Sequence, residues 1–324
     1  MSQQDANHRV VATSKVVVGY NGSESSGEAV MWAANQAMIR HAQLRIVSCF
    51  ELPVGVAEAS LGWGVRTAYD AIRDAAAESL ESITATLRKE FPSVSFTSDV
   101  PPGPAATALL SGVSAGDLVV VGSSSHQGAA AFWLGTTPRQ LVRHSPAPVA
   151  VVRGAASRGR PDRVVVGVDG SGAADLAVEW AADEADRHGV ELVLVHGWTY
   201  PYSLASSDST RAREITQIDA DTTLVRAVNA ARERCGSTVT GMLVEGTAVS
   251  ALLDTIRDGD LLVVGSRGRG PLKARLFGST VNSVLESCSI PVVVVRGDPG
   301  DIEVNHASSN DASGHDPGPL LASS

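Results

Sequence analysis

The sequence predicts an α/β protein of two doubly wound domains in tandem, each a parallel sheet with helices on both faces. Three observations predict it. The chain repeats itself at the period of a whole domain. Within each copy, strand-like and helix-like segments alternate strictly, which gives a parallel sheet with right-handed crossovers. The strand-like segments are unbroken Val/Leu/Ile runs, as expected where helices cover both faces of a sheet.

The duplication is read directly from the residues. Gly19-Tyr20-Asn21-Gly22-Ser23 matches Gly167-Val168-Asp169-Gly170-Ser171. Ala29-Val30-Met31-Trp32-Ala33-Ala34 matches Ala177-Val178-Glu179-Trp180-Ala181-Ala182, and Trp32 and Trp180 lie 148 apart. Further on, Gly122 matches Gly265, 143 apart, and Pro148–Arg153 matches Pro291–Arg296 at the same offset. So long a period means two domains rather than a solenoid.

The elements follow in order. In the first copy an apolar strand covers Lys15–Tyr20 and stops at Asn-Gly-Ser. Glu24–His41 has apolar residues at helical spacing. Leu44–Glu51 is a strand, and Ala68–Glu90 is a long helix stopped by Pro92. A strand at Val94–Val100 and a short helix at Ala105–Val113 follow. Asp117–Gly122 is a buried strand, Thr136–His144 a helix and Val149–Arg153 the last strand. The second copy repeats this with strands at 163–168, 190–196, 238–244, 260–264 and 292–296. Its helices fall at 173–188, about 210–234, 247–257 and 279–287. The domains therefore span 14–153 and 163–297. Residues 154–162 lack periodicity and read as a linker. The tails, 1–13 and 298–324, are polar and are expected to be disordered.

Bulk properties narrow the function. At 324 residues, with 44% hydrophobic and 19% charged residues, the chain is long and apolar enough for two ordinary globular domains. A net charge of -9 argues against nucleic acid as the main partner. No run approaches the roughly 18 apolar residues of a membrane span, and Met1–Ser14 has no secretory core, so the expected location is the cytoplasm, with no membrane insertion. The three cysteines, Cys49, Cys235 and Cys288, form no Cys-x-x-Cys and read as buried, inert thiols.

The chemistry concentrates in two loops of each copy. After its fourth strand the second copy reads Val263-Val264-Gly265-Ser266-Arg267-Gly268, then nine residues, then Gly278-Ser279-Thr280. The first copy has Val120-Val121-Gly122-Ser123-Ser124-Ser125, nine residues, then Gly135-Thr136-Thr137. A glycine loop running into a helix N-terminus is a phosphate-binding device. Gly265 and Gly268 allow close backbone approach to phosphates, and Gly278 leads into the next helix. Ser279 and Thr280 can cap that helix and donate hydroxyls. Arg267, Arg269, Lys273 and Arg275 add local positive charge. In an open doubly wound sheet the ligand sits where strand order reverses, which places Asp169, after the first strand, opposite this loop. A carboxylate there accepts from ribose hydroxyls or holds a Mg²⁺ bridging to phosphates.

The spacing Gly-x2-Gly-x9-Gly-[Ser/Thr], with Val-Asp-Gly-Ser far upstream, resembles that of the universal stress protein family, specifically its tandem two-domain members. The resemblance covers roughly residues 14–297. It implies Rossmann-like domains of the adenine nucleotide alpha hydrolase type, each five-stranded in the order 3-2-1-4-5, which bind ATP in many members. It also implies pairing of domains through their last strands, 149–153 and 292–296, within a monomer or in a homodimer of such units, the homodimer being the expected partner state. Carried over by residue, Val168 and Asp169 contact adenosine. Gly197 lies near the adenine. Val264, Gly265, Arg267, Gly268, Gly278, Ser279, Thr280 and Val281 form the ribose and phosphate segment.

The first copy offers the matching positions Tyr20, Asn21, Cys49, Val121, Gly122, Gly135, Thr136 and Thr137, but it departs from the pattern. Asn21 replaces the aspartate and Ser125 the second glycine. Ser124, Ala130 and Phe132 stand where Arg267, Lys273 and Arg275 stand in the second copy. Losing charged contacts at roughly one to two kcal/mol each makes the first site weaker or altered.

Other motifs read as structure. Gly112-Val113-Ser114-Ala115-Gly116 imitates a nucleophile elbow, but a helix precedes it and a strand follows, so it is a helix-ending turn. His196 is a satisfied core or rim histidine, and His126 is an exposed one. Trp32 and Trp180 are core packing. The mixed-charge helix around Arg211–Arg234 is a solvated face. The leading expectation is an ATP-binding regulator of stress response, dormancy or growth, acting with Mg²⁺ and through an unknown protein partner. The alternatives are a slow ATPase or nucleotidyl-transferring enzyme and a pure interaction module. No motif for rapid catalysis occurs, and no catalytic residue is assigned.

Overall fold

The computed structural model of the protein describes residues 14–50, 63–123, 135–153, 159–200, 209–266 and 278–296. The first domain contains β1 (Lys15–Gly19), α1 (Glu24–Arg40), β2 (Gln43–Val47), α2 (Trp63–Glu90), β3 (Phe96–Asp99), α3 (Ala105–Leu110), β4 (Leu118–Gly122), α4 (Thr136–His144) and β5 (Val149–Val152). The second contains β6 (Arg163–Gly167), α5 (Gly172–His188), β7 (Glu191–Trp198), α6 (Ser209–Arg234), β8 (Val239–Glu245), α7 (Ala248–Thr255), β9 (Leu261–Gly265), α8 (Ser279–Ser287) and β10 (Val292–Val295). Each expected element is present, most with ends within three residues of expectation. Helix α2 begins at Trp63, before the expected Ala68, because a glycine at 64 weakens the helical signal there. Strand β2 ends at Val47, and beyond it Phe50 makes only an isolated bridge to Pro102. The expected tails, most of the linker and Glu51 lie outside the described residues.

The strands form one ten-stranded sheet in the order β3-β2-β1-β4-β5-β10-β9-β6-β7-β8. Each domain thus has the expected 3-2-1-4-5 order. Pairing within each domain is parallel. The domains join through their last strands, antiparallel, with Val149 opposite Val294 and Val151 opposite Val292. This junction turns the carboxyl ends of the two sets of strands in opposite directions, so the two candidate crevices open at opposite ends of the molecule.

Strand alternation assigns the core to the two faces. Val16, Val18, Val164 and Val166 point to the face covered by α1, α2, α5 and α6. Val17, Val119, Val165 and Leu262 point to the face covered by α3, α4, α7 and α8. Both apolar layers run continuously across the domain junction. Near the amino ends of the central strands, two buried aspartates hold matched turns. Asp117 accepts from the Lys15 and Ser114 amides, each at 2.8 Å, and Asp260 accepts from the Arg163 guanidinium and the Arg257 amide. Asp117 therefore anchors the turn before β4 instead of opening the strand. Gly112, with φ of 71°, closes the turn after α3, as the elbow-like motif is expected to.

A buried polar cluster joins α1 to α5 across the domains. Arg40 donates to Glu184 at 2.5 Å, and Glu184 is fully buried. His188 Nε2 lies 3.1 Å from Glu184 Oε1, so this nitrogen carries the proton that the carboxylate accepts. Gln36, also fully buried, accepts from Arg40 Nε at 3.2 Å and donates to the carbonyl of Gly159. The Gly159 carbonyl, shortly before β6, is therefore held against α1. Trp32 is core, as expected, but Trp180 is only half-buried. It packs against the same core from its rim, and the Arg40 guanidinium sits over its ring at 5.4 Å, so Trp180 also takes part in this junction.

Helix α6 buries Ala220, Leu224, Ala227 and Ala231 and exposes its opposite side, where Ile215 and Ile218 stand among charges. Its outer face is thus less uniformly polar than its sequence suggests. Cys235 and Cys288 are buried and Cys49 is half-buried. Burial pushes the Cys288 thiol up to about 11, against the opposing pull of Arg153, and burial also raises Cys235. A thiol-specific reagent at pH 8 is therefore expected to label Cys49 first in the native protein, and all three cysteines only after unfolding. Equal native labelling rates at the three positions would contradict this packing.

Candidate functional site

The second crevice is built where strand order reverses. β6 pairs with β7 on one side and β9 on the other, so the turn after β6 and the loop after β9 emerge side by side at the carboxyl ends. Val168 is buried and donates its amide to the carbonyl of Val195 at 2.8 Å. Its own carbonyl accepts from His196 Nδ1 at 2.5 Å. His196 is thus half-buried and satisfied, and it braces the residue before Asp169.

Asp169 has a structural task that sequence reading did not assign. Its Oδ1 accepts from the Ser171 amide at 2.9 Å and from the Ser171 hydroxyl at 2.6 Å. Ser171 is the N-cap of α5 and accepts from the Ala174 amide. The first domain repeats this turn. Asn21 Oδ1 accepts from the Ser23 amide at 3.1 Å and the Ser23 hydroxyl at 2.6 Å, and Ser23 caps α1. One side-chain oxygen suffices for the turn, so Asn21 and Asp169 build the same backbone. They differ in charge.

The glycines that end the fourth strands are required by the protein itself. A Cβ on Gly265 would stand 2.6 Å from the carbonyl oxygen of Ala173 and 3.0 Å from the Ala174 nitrogen, in the first turn of α5. On Gly122 it would stand 2.4 Å from the carbonyl oxygen of Ser25 in α1. These contacts give the missing Cβ a packing task of its own, because it admits a helix N-terminus against the end of the central strand. Gly197 is similar. It lies within β7, and its Cβ would meet Ala248 and Ala251 of α7 at 3.0 Å.

Helix α8 opens on Gly278, with no side-chain cap hydrogen bond, and α4 opens on Gly135 in the same way. This corrects the expectation that Ser279 and Thr280 cap α8, since both lie within its first turn. Gly278 donates back to the carbonyl of Ser266 at 3.4 Å, which ties the helix start to the end of β9. Val264 and Val281 are buried beneath this junction, and Ser279 is exposed. By contrast, α1, α5 and α7 are capped by Ser23, Ser171 and Thr247.

Val168, Asp169, Gly265, Gly278, Ser279 and Thr280 are thus brought to one end of the second sheet. Arg267, Gly268, Arg269, Lys273 and Arg275 lie outside the described residues, as do Ser124, Ser125, His126, Ala130 and Phe132. In the first domain Tyr20, Asn21, Cys49, Val121, Gly122, Gly135, Thr136 and Thr137 fall at the corresponding end. Tyr20, in place of Val168, accepts from the Ser79 hydroxyl of α2 at 3.3 Å. Sequence reading missed the arginines that close the last strands, although the repeat carries one in each copy, at 153 and 296. Arg153 is buried and reaches into the second domain.

Comparison with known proteins decides the family. The universal stress protein family model matches twice, over residues 13–153 and 161–296. The chain belongs to the universal stress protein family. Among its relatives, Universal stress protein Rv2005c of Mycobacterium tuberculosis is 30% identical over 295 residues, covering 87% of this chain and 96% of that protein. Universal stress protein Rv1996 of the same organism is 30% identical over 310 residues, covering 87% and 94%. The crystal structure of a universal stress protein from Archaeoglobus fulgidus matches with a TM-score of 0.60 at 18% identity, covering 88% of this chain and 99% of that one. That likeness supports the doubled fold. Among the described residues of this universal stress protein, no helix is long and apolar enough to cross a membrane, and no three His, Cys, Asp or Glu side chains gather as a metal site.

Proposed function

We propose that the second domain binds an adenine nucleotide, ATP with Mg²⁺, and that its occupancy regulates a stress response through a protein partner, the chain acting as a homodimer. One observation carries the reading. Helix α8 presents an N-terminus without a side-chain cap at the reversal of strand order, at the same end of the sheet as the half-buried carboxylate of Asp169. Such a terminus offers backbone amides and a positive dipole end to phosphate oxygens. The donor set fits the ligand in kind. The Asp169 carboxylate suits ribose hydroxyls or a cation shared with phosphates, and the Ser279 and Thr280 hydroxyls suit phosphate oxygens. Because no three His, Cys, Asp or Glu side chains gather among the described residues, a Mg²⁺ would arrive with the nucleotide and not be held by protein alone. The basic loop residues of the sequence, Arg267 foremost, extend the same logic.

The first domain is proposed as the weaker site. Its turn has the same shape but lacks the charge, and its sequence lacks the matching basic residues. The function is binding, with at most slow hydrolysis.

Small molecules released from the purified full-length protein, identified by mass spectrometry, test this. Adenine nucleotide is expected from the wild type and much less from Asp169→Asn. That variant keeps the turn that Asn21 already builds, so its melting temperature should stay close to wild type. Its Mg-ATP affinity should fall roughly tenfold, the size of one charge-assisted contact. Unchanged nucleotide content in Asp169→Asn would refute the assigned role of the carboxylate.

A further inference from the structure

The two domains exchange arginines. Arg153 follows β5 and is 3% exposed. Its guanidinium crosses the domain boundary, where Nη1 donates to the carbonyl of Cys288 at 2.7 Å and Nη2 donates to the carbonyl of Leu285. Those carbonyls terminate α8. The counterpart, Arg296, follows β10 and donates Nη1 to the carbonyl of Arg143, in the last turn of α4, at 2.9 Å. Each domain therefore closes the carboxyl end of the helix whose N-terminus faces the other domain's crevice.

The antiparallel junction explains the geometry. Because β5 and β10 run in opposite directions, α8 begins at the second crevice and ends beside the carboxyl end of β5. Nine residues of helix span about 13 Å. At that end the loop of the first crevice is tied to the same place, since the Ser123 amide donates to the carbonyl of Val152, the residue before Arg153, at 3.1 Å. The second domain mirrors this, with the Ser266 amide donating to the carbonyl of Val295 at 2.8 Å, next to Arg296.

We propose that Arg153 is a positioning residue for the nucleotide site of the second domain, so that the first domain completes that site from behind. The inference rests on the nucleotide reading above. A short helix grips phosphates only when its first-turn amides are held in place. A cation at its carboxyl end, bonded to two terminal carbonyls, both complements the dipole and locks the helix position. The exchange is unequal. Arg153 is buried with two carbonyls to hold, whereas the Arg296 contact is exposed and reaches one. The first domain therefore supports the second site more firmly than the reverse, which agrees with the charge difference between Asp169 and Asn21.

The test uses the full-length chain as wild type, Arg153→Met, Arg153→Lys and Arg296→Met. Affinities for Mg-ATP and for adenosine are measured separately by calorimetry, and hydrogen exchange is followed over residues 279–288 without ligand. In Arg153→Met, Mg-ATP affinity is expected to fall roughly tenfold while adenosine affinity changes by less than about twofold, with faster exchange across α8. Arg153→Lys should fall between, and Arg296→Met should leave the tight site unchanged. Equal Mg-ATP affinity in wild type and Arg153→Met overturns the proposal, as does an equal loss for both ligands. If Arg153→Met does not fold, the ratio of the two affinities in Arg153→Lys decides by the same criterion. A wild type that binds neither ligand refutes the nucleotide reading instead, and the exchange rates then still decide whether Arg153 holds α8.

Discussion

Replacing Glu184 with alanine is expected to destabilise the protein by about 3–5 kcal/mol, the cost of leaving a buried charge without its partner. Glu184 lies at the α1–α5 junction, fully buried, between Arg40 on the first domain and His188 and Arg187 on its own helix. Burial alone would raise its carboxyl pKa. The Arg40 charge, the His188 hydrogen bond and charge, and Arg187 outweigh that and hold the carboxyl below its ordinary value. The sign follows from linkage. A carboxyl with a depressed folded pKa contributes stability above its unfolded pKa and loses it as the pH falls through the folded value. Stability carried by this cluster should therefore be full at neutral pH and decline below about pH 4, near the ordinary carboxylate range. Urea unfolding of wild type and Glu184→Ala at pH 7 and pH 3 measures both effects. The difference between the proteins should shrink at the lower pH.

The same cluster predicts a contrast. The double variant Arg40→Met with Glu184→Leu removes both charges and keeps apolar volume, so it should recover most of the loss. Recovery would mean that the ion pair fixes how the domains register rather than how stable they are. A double variant as unstable as Glu184→Ala would mean that the junction depends on the hydrogen bonds as well.

Gly265→Ala is the second large effect. The new methyl group would press on the backbone of Ala173 and Ala174, and backbone cannot rotate aside as a side chain can. The first turn of α5 must move, at a cost of about 1–3 kcal/mol or more. Because Asp169 and Ser171 form that turn, the shift also displaces the carboxylate from the loop after β9. Loss of stability and loss of nucleotide affinity are expected together. In Gly122→Ala the matching clash with Ser25 should destabilise similarly while sparing the second site. Thermal melts and calorimetry on the two variants separate the shared packing effect from the site-specific one.

The contrast between these glycines and Asp169 indicates how far the sequence could be read. The elements were legible because apolar runs and helical spacing dominate each of them, and the repeat supplied every assignment twice. The strand order and the pairing through the last strands followed from the resemblance and agree with the pairings found, whereas the antiparallel sense of that junction is read from the structure. The purpose of Gly122 and Gly265 was not legible. A glycine in a loop signals close approach, but nothing in the sequence says whether a ligand or the protein's own helix approaches. The α1–α5 cluster was obscured for a related reason. Gln36 and Arg40 match Glu184 and His188 at the same offset of 148, four polar side chains on otherwise apolar helix faces. Read one helix at a time they are rim residues. Brought together by the junction, they are buried partners. The reciprocal arginines at 153 and 296 were visible as a repeat, but their acceptors are carbonyls, which leave no mark on the sequence.

Calorimetric titration of the full-length protein with ATP and Mg²⁺, before and after Asp169→Asn, decides whether the second domain holds a tight adenine-nucleotide site and the first a weaker one. One tight event per chain is expected in wild type, weakened roughly tenfold in the variant. No binding, or two equal events that the substitution leaves unchanged, would contradict it.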